Sequence, residues 1–502
     1  MAVPLGRVER RMPRFRHRHS WRRDPRAPGV RSLAAVVGAA AWLTACSEAP
    51  EPVAARAELP SQFARSGEAP RVDRWWTRFD DPTLQTLVDR ALANEPGVRA
   101  TWARLVQAEA VAGRTRAERF PSIDGTGEAR IEDGSELPEA RESYSLGLSA
   151  SYEVDLWGRV DARADAARLD ARASRQDLRA SALTLSGEVA DAWYRLVAER
   201  ARLDLLRQQL ETNKKVERVV NVRVRQGQAA LADLLRQREL VERTREQIAT
   251  AEGDIATIEH ELAVLLGRAP GKGAVPEGRA LPAVPPLPET GVPAELLQRR
   301  PDVREQLLRV QAADKRVGAA VADQYPRIDL TGALSTNSPE PADLFTTWMG
   351  NLASQLTIPL IDAGRREAEV DRTEAVVAER LAQYEETALT AIRDVADALA
   401  RERQQRRRVA SLRDQVDLAR QSVERLRGRY IGGNTDFLDV LDALTRVQDL
   451  ERSLIDARRA RLAARIELAR ALAGGVTPPR PEGRGFEPLE VDAAEGRDED
   501  TT

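Results

Sequence analysis

From Tyr144 to Leu156 every even position is apolar or aromatic, while the odd positions are Ser145, Gly147, Ser149, Ser151, Glu153 and Asp155. Strict period-two alternation over this length predicts a β-strand with one apolar and one polar face, longer than is usual in soluble proteins. A membrane β-barrel strand, with one face in lipid and the other toward water, has this pattern. Trp157 follows at the place of an interfacial aromatic. Three further stretches, Ile123–Ile131, Ile328–Leu334 and Leu352–Leu360, alternate less strictly, the last with Trp348 just ahead of it. Between partners, the segments around Glu132–Arg141 and Ser338–Asp343 are rich in proline, glycine and acids, so each pair reads as a hairpin. Four strands cannot close a barrel, and open edges are not tolerated in lipid. Either several chains pool their strands, or these are soluble hairpins on a helical domain.

The rest of the chain has helical patterning. Arg159–Gln226 contains no proline and only Gly187 as a glycine. As one helix it is about 100 Å long at 1.5 Å per residue. A second rod is predicted from Leu231 to Leu266, and the plan repeats with Arg365–Arg429 and Phe437–Ala473. Along the last, an apolar path runs from Leu438 through Leu441, Leu444 and Val447 to Leu468 and Leu472, with a mean spacing of about 3.4 residues. A spacing near 3.5 means a left-handed coiled coil.

The chain is written twice. Arg119-Phe-Pro-Ser-Ile-Asp-Gly-Thr-Gly127 echoes Gln324-Tyr-Pro-Arg-Ile-Asp-Leu-Thr-Gly332 at an offset of 205, and Val98–Arg119 matches Val303–Gln324 at the same offset. Gly158 matches Gly364 and Gly227 matches Gly433 at an offset of 206. Each half therefore holds a helix, a hairpin, a long helix, a turn and a second long helix. The expected organisation is residues 1–45 as a signal, 46–73 as an N-terminal segment, 74–274 as the first repeat, 275–294 as a proline-rich linker, 295–475 as the second repeat, and 476–502 as a disordered acidic tail.

Composition narrows the function. Charged residues make up 31% and aromatics 4%, a mixture that suits long helices with narrow apolar seams. Mean hydropathy is −0.46, against a hydrophobic multi-helix membrane bundle. Cys46 is the only cysteine, and His260 is the only histidine beyond His17 and His19, so one chain cannot supply a Cys/His metal cluster. Gly271-Lys272-Gly273 lacks the Ser or Thr of a P-loop. Acids are plentiful, but none stands in a recognisable nucleophile or acid–base context, so no enzyme, metal or cofactor is expected.

The N-terminus reads as an address. Ten arginines precede an eleven-residue apolar run, Leu33–Leu43, which is too short to span a bilayer. It ends in Leu43-Thr44-Ala45-Cys46, which resembles the lipobox of bacterial lipoproteins; the alternative is an incidental cysteine. The resemblance implies cleavage before Cys46 and covalent diacylglycerol and N-acyl chains on it. Ser47 in the next position, by likeness to enteric sorting rules, favours the outer membrane. Losing residues 1–45 removes a net of +8 from a chain of −2, leaving about −10, a poor nucleic-acid binder.

These features together resemble the outer-membrane factor family, the TolC/OprM/NodT efflux proteins, over about residues 43–475. Arg74-Trp75-Trp76-Thr-Arg-Phe79-Asp-Asp81-Pro82-Thr-Leu84 looks like the family's early W-W-x-x-F-x-D-P-x-L pattern. Asn94-Glu95-Pro96 and Arg299-Arg300-Pro301-Asp302 look like the paired openings of its repeat helices, and Phe120-Pro121 and Tyr325-Pro326 mark the helix-to-strand junctions. The fold implied is mainly α with membrane β: a homotrimer whose twelve strands, four per chain, close one outer-membrane barrel continued by a periplasmic coiled-coil barrel. The partners implied are a periplasmic membrane-fusion adaptor and an inner-membrane RND-type transporter; an outer component of type I secretion lies within the same family.

Two tips would face the periplasm, around Gly227 and Gly433, where a helix reversal needs a φ-permissive residue. Tyr430-Ile-Gly-Gly433-Asn-Thr-Asp436-Phe-Leu-Asp439-Val-Leu-Asp442 resembles the family's gate segment. The resemblance puts Asp439 and Asp442 in the pore as three-fold carboxylate rings, and Tyr430 and Asp233 at positions used for ties that hold the entrance closed. Thr435 departs from members that carry arginine there. A solvated helix face would equally place Asp439 and Asp442 together. A periplasmic adaptor or a coiled-coil envelope spacer remain the competing readings. The cargo follows from whichever pump delivers it.

Overall fold

The computed structural model describes residues 74–132, 141–271, 276–278, 280–290, 293–483 and 486. Cys46 and the signal region lie outside them. The chain begins with a short 3-10 turn, Trp75–Phe79, and helices α1 (Pro82–Asn94) and α2 (Pro96–Ala117). The hairpin β1 (Ser122–Glu132) and β2 (Arg141–Val154) leads into α3 (Arg159–Arg225) and α4 (Leu231–Leu265). The second repeat has a two-turn helix α5 (Pro293–Arg299), α6 (Pro301–Ala322), the hairpin β3 (Arg327–Ser338) and β4 (Met349–Thr357), and the rods α7 (Arg365–Ile431) and α8 (Phe437–Leu472). Both α3 and α7 are 67 residues long, so each runs about 100 Å.

The four strands form one antiparallel sheet in the order β1-β2-β3-β4. Its register joins the two repeats across β2 and β3, with Leu148 opposite Leu334 and Tyr152 opposite Leu330. Opposed residues share a face. One face thus carries Ile123, Leu148, Leu334, Leu352 and Leu356, all exposed in the single chain. The other carries Asp124, Glu128, Ser145, Ser149, Asn351 and Gln355. Thr336 is a polar residue on the apolar side, and its hydroxyl is occupied by the Leu344 carbonyl. Aromatics mark both ends: Trp157 stacks on Tyr325 with centroids 4.9 Å apart and donates to the Pro326 carbonyl at 2.7 Å, while Phe345 and Trp348 lie together by the loop between β3 and β4. Strand β4 lies three residues earlier than the alternation suggests, because Pro359 has no N–H to pair and the chain leaves the sheet ahead of it.

Helices pack as ribbons beneath the sheet. Near the strands the lateral order is α2, α3, α6, α7; farther away it is α4, α3, α8, α7. The main core lies where these meet. Trp75, Trp76 and Phe79 are buried there against Leu185, Val189 and Tyr194 of α3 and Leu462 and Ile466 of α8. The tryptophan-rich motif is therefore a packing device. Trp75 Nε1 donates to Ser186 Oγ at 3.0 Å. Asp81 caps α1 through the backbone N–H groups of Thr83 and Leu84 and accepts from Trp193 Nε1 at 2.8 Å. Glu95 caps α2 through Val98 N at 2.7 Å, and Pro96 and Pro301 occupy first helical positions, where a missing N–H costs nothing.

The described linker residues, 276–278 and 280–290, carry no helix or strand and strap this core. Arg200 donates to the Pro276 carbonyl at 2.7 Å and Arg465 to that of Pro285 at 2.6 Å. The expectation of disorder from residue 476 is corrected at its start: Val476 is buried, Arg480 lies over Trp102, and Phe486 packs against the main core. The apolar contribution of Val476 and Phe486 holds this piece, whereas the acidic composition belongs to residues beyond it. Residues 487–502 lie outside the described set. No helix among the described residues is long and apolar enough to cross a membrane.

Candidate functional site at the helical tips

Both tips are built alike. Gly227 has φ +72° and Gly433 φ +75°, the left-handed region that L side chains avoid. At the first, Gly227 N donates to Val224 O and Gln228 N to Arg223 O; at the second, Gly433 N donates to Tyr430 O and Asn434 N to Arg429 O. These are matching Schellman closures, which satisfy the last helical carbonyls and let the chain turn back at once. An apolar cluster of Val220, Leu234, Leu240, Phe437 and Leu441 locks the two tips level with one another.

Tyr430 sits between them. Its ring packs on Phe437 at 5.6 Å between centroids, and the Arg223 guanidinium lies 4.5 Å from its centroid. Arg223 also donates to the Tyr430 carbonyl at 3.4 Å. The Tyr430 hydroxyl is buried without a hydrogen-bond partner among the described residues. Asp233, half-buried in the first turn of α4, pairs with Arg236 of its own helix at 3.4 Å. Within one chain, then, Tyr430 is tied to α3 through Arg223, a residue the sequence reading passed over. Arg223 is one basic residue in a helix end full of them, and only the ring above it marks it out.

Asp439 and Asp442 are both exposed at the start of α8. Neither has a cation partner among the described residues. Asp439 accepts the Thr435 hydroxyl at 2.5 Å. Thr435 thus bonds the Asp439 carboxylate from its own chain. Asp439 also lies in the first helical turn, where the helix dipole favours negative charge.

Above the tips, a buried polar layer joins three helices. Asn213 of α3 donates to Thr244 Oγ1 of α4 at 3.0 Å and accepts from Gln448 Nε2 of α8 at 2.8 Å; Gln237 donates to the Asn213 carbonyl at 2.9 Å. Gln209 donates to the Gln448 carbonyl at 3.3 Å. Asn213 and Gln237 are fully buried. Polar residues in a coiled-coil seam fix register at a cost in stability. The sequence reading did not single out this layer.

Among the described residues no group of three or more His, Cys, Asp or Glu is placed to hold a metal ion.

An amphipathic sheet whose β1 and β4 edges are unpaired within the chain, set on duplicated 67-residue rods with level tips, defines a subunit of an outer-membrane channel. The comparisons agree. The model of the outer membrane efflux protein family matches residues 87–268 and 292–474, one match per repeat, and the chain belongs to that family. OpmQ of Pseudomonas aeruginosa, a pyoverdine export outer membrane protein, is 31% identical over 457 residues, covering 88% of this chain and 96% of OpmQ. A crystal structure of CusC superposes with a TM-score of 0.78 at 28% identity, covering 86% of this chain and all of that one. The open state of the MtrE outer membrane channel of Neisseria gonorrhoeae gives 0.78 at 27% identity, covering 87% and 99%. The protein is thus an outer-membrane efflux channel component, with the fold of trimeric channels in which four strands per chain make up a twelve-stranded barrel continued by helices. The family is one of transport proteins.

Proposed function

We propose that three copies, each anchored by lipid on Cys46, form a gated tube that receives cargo from a periplasmic membrane-fusion adaptor and an inner-membrane RND-type transporter. The observation that carries the shared barrel is the sheet: its apolar face is exposed and both edge strands lack partners within the chain. At the tips, Asp439 and Asp442 from three chains make rings of negative charge at the entrance. Like charges so placed repel one another and attract cations. Tyr430, Arg223 and Asp233 act as latches: each lies on the turn-proximal end of a rod, and the Tyr430 ring and carbonyl are held by Arg223 of the other tip. An adaptor opens the entrance by replacing these contacts with its own. Relatives named for pyoverdine export and for cation efflux support a tube whose cargo is set by the pump that feeds it.

Planar-bilayer recording tests the gate. Tyr430→Ala with Asp233→Ala is expected to raise conductance of the isolated trimer, and Asp439→Asn with Asp442→Asn to reduce cation preference. Unchanged conductance and selectivity in both would remove these residues from the gate. For the anchor, palmitate labelling is expected in the full chain and absent from Cys46→Ala; labelling that survives this substitution rejects Cys46 as the lipidation site.

A further inference from the structure

The helical ribbon has two free edges, and they carry opposite charge at one level. Below the main core the lateral order α4, α3, α8, α7 leaves α4 and α7 each with a neighbour on one side only. Edge α4 belongs to the first repeat, as does edge strand β1; edge α7 belongs to the second, as does edge strand β4. Closing the sheet by pairing β4 of one copy with β1 of the next therefore brings α7 of that copy beside α4 of the next.

On α7, Arg403, Arg406, Arg407 and Arg408 are exposed and make no ion pair among the described residues. The acid just before that run, Glu402, is buried and bound to Arg465. On α4, the stretch from Glu246 to Leu265 holds five acids and no lysine or arginine. Three of the acids share cations of α3: Glu252 with Arg207, Glu259 with Arg200, and Glu261 with Arg195. Glu246 and Asp254 have none. Burial, and then the nearby Asp254 and Asp456 carboxylates, push the Glu199 carboxyl of α3 upward, against the lowering by Arg202 and Arg459. Negative charge is thus in local excess at this edge.

The levels agree. Arg408 and Arg403 stand 23 and 28 residues before the end of α7 at Ile431; Asp254 and Glu259 stand 23 and 28 residues after the start of α4 at Leu231. At 1.5 Å per residue both bands lie about 35–42 Å from the tips, and the tips themselves are held level by the Phe437–Leu234 cluster. The α4 edge between the acids is small: a Cβ built on Gly253 meets nothing within 4 Å, leaving room for arginine side chains.

We infer that the seam between copies in the helical tube is a directional charge clasp, in which Arg403, Arg406, Arg407 and Arg408 on α7 of one copy engage the acidic band around Asp254 on α4 of the next. The clasp rests on the trimeric reading above. It acts at three seams, sets which edge meets which, and disfavours pairing of two like edges.

Charge reversal in the full-length, membrane-extracted protein tests it. Arg406→Glu with Arg407→Glu is expected to lower the heat-resistant trimer fraction roughly tenfold, as suits a few exposed pairs repeated at three seams. Asp254→Arg is expected to act in the same direction. The three changes together restore most of the trimer, which a merely damaged fold would not do. The neutral pair Arg406→Gln with Arg407→Gln weakens the trimer less and flattens its loss with added salt. Either reversal leaving the trimer intact, or the combined variant being no better than each half, overturns the clasp. Intact trimers with altered ion selectivity assign the arginines to the lumen and overturn it as well. A wild-type protein that is not a trimer in the same measurement breaks the underlying reading instead.

Discussion

Glu402→Ala should be among the most damaging single changes in the molecule away from its glycines. Glu402 and Arg465 are each 3% exposed, and Arg465 Nη2 donates to Glu402 Oε1 at 2.8 Å. The second guanidinium nitrogen holds the Pro285 carbonyl of the linker at 2.6 Å, and Arg461 approaches the same carboxylate at 3.7 Å. Three parts of the chain (α7, α8 and the strap between repeats) meet on this one ion pair. Removing the carboxylate leaves a guanidinium buried without its counter-charge, which costs about 3–5 kcal/mol. Replacing both partners, Glu402→Leu with Arg465→Met, removes the buried pair and should recover part of that loss, leaving about 1–2 kcal/mol for the donor lost by the Pro285 carbonyl. Guanidinium-chloride unfolding of the purified protein, followed by far-UV circular dichroism, measures both, and proteolysis within 276–290 reports release of the strap. A Glu402→Ala loss below about 1 kcal/mol, or a double variant as unstable as the single one, would refute the claim that this pair is desolvated and structural.

Other expectations follow the same logic. Gly433→Ala puts a Cβ at φ +75° and should destabilise the second tip by about 1 kcal/mol, whereas Gly428→Ala, inside α7 and with open space around it, should stabilise by up to about 1 kcal/mol; thermal melts that rank them the other way contradict the turn assignment. Asn213→Ala removes the side-chain partner of Gln448 and of Thr244 and should cost about 2 kcal/mol, with tips that exchange amide hydrogen faster. The Glu199 carboxyl is raised chiefly by burial, so the folded chain holds this proton more tightly than the unfolded one. Stability therefore falls as pH rises from the ordinary glutamate range through the raised value. Glu199→Gln should be more stable than wild type at neutral pH, with the advantage fading on acidification; an advantage that grows in acid reverses the sign and rejects the burial argument.

Much of this architecture is legible in the residues, because its two rules are periodic. Alternation at 144–156 gave the strand face that the observed register confirms, with Leu148 across from Gly125 and Leu334, and the absence of proline gave the rods to within a few residues. The duplication was readable because Gly158 and Gly364, both at positive φ, turn each repeat from sheet to rod at the same step. Long-range partners were not readable. Gly187 stood out only as an exception in a helix; the structure shows the Arg470 side chain crossing where its Cβ would be, 2.2 Å away. Asp81 appeared in the sequence only as part of a motif, yet one of its oxygens caps α1 and the other serves Trp193, 112 residues on. At the tips, sequence likeness singled out Tyr430, Asp439 and Asp442 but not Arg223, since a cation over a ring is a fact of three dimensions.

The central claim is that the open-edged sheet and the level tips belong to a shared, gated tube. The most direct test is the detergent-corrected mass of protein extracted from outer membranes, taken with single-channel conductance on the same sample. The account predicts a trimer that conducts weakly but measurably and opens further when the Tyr430 latch is removed. A monomer that does not conduct would contradict it.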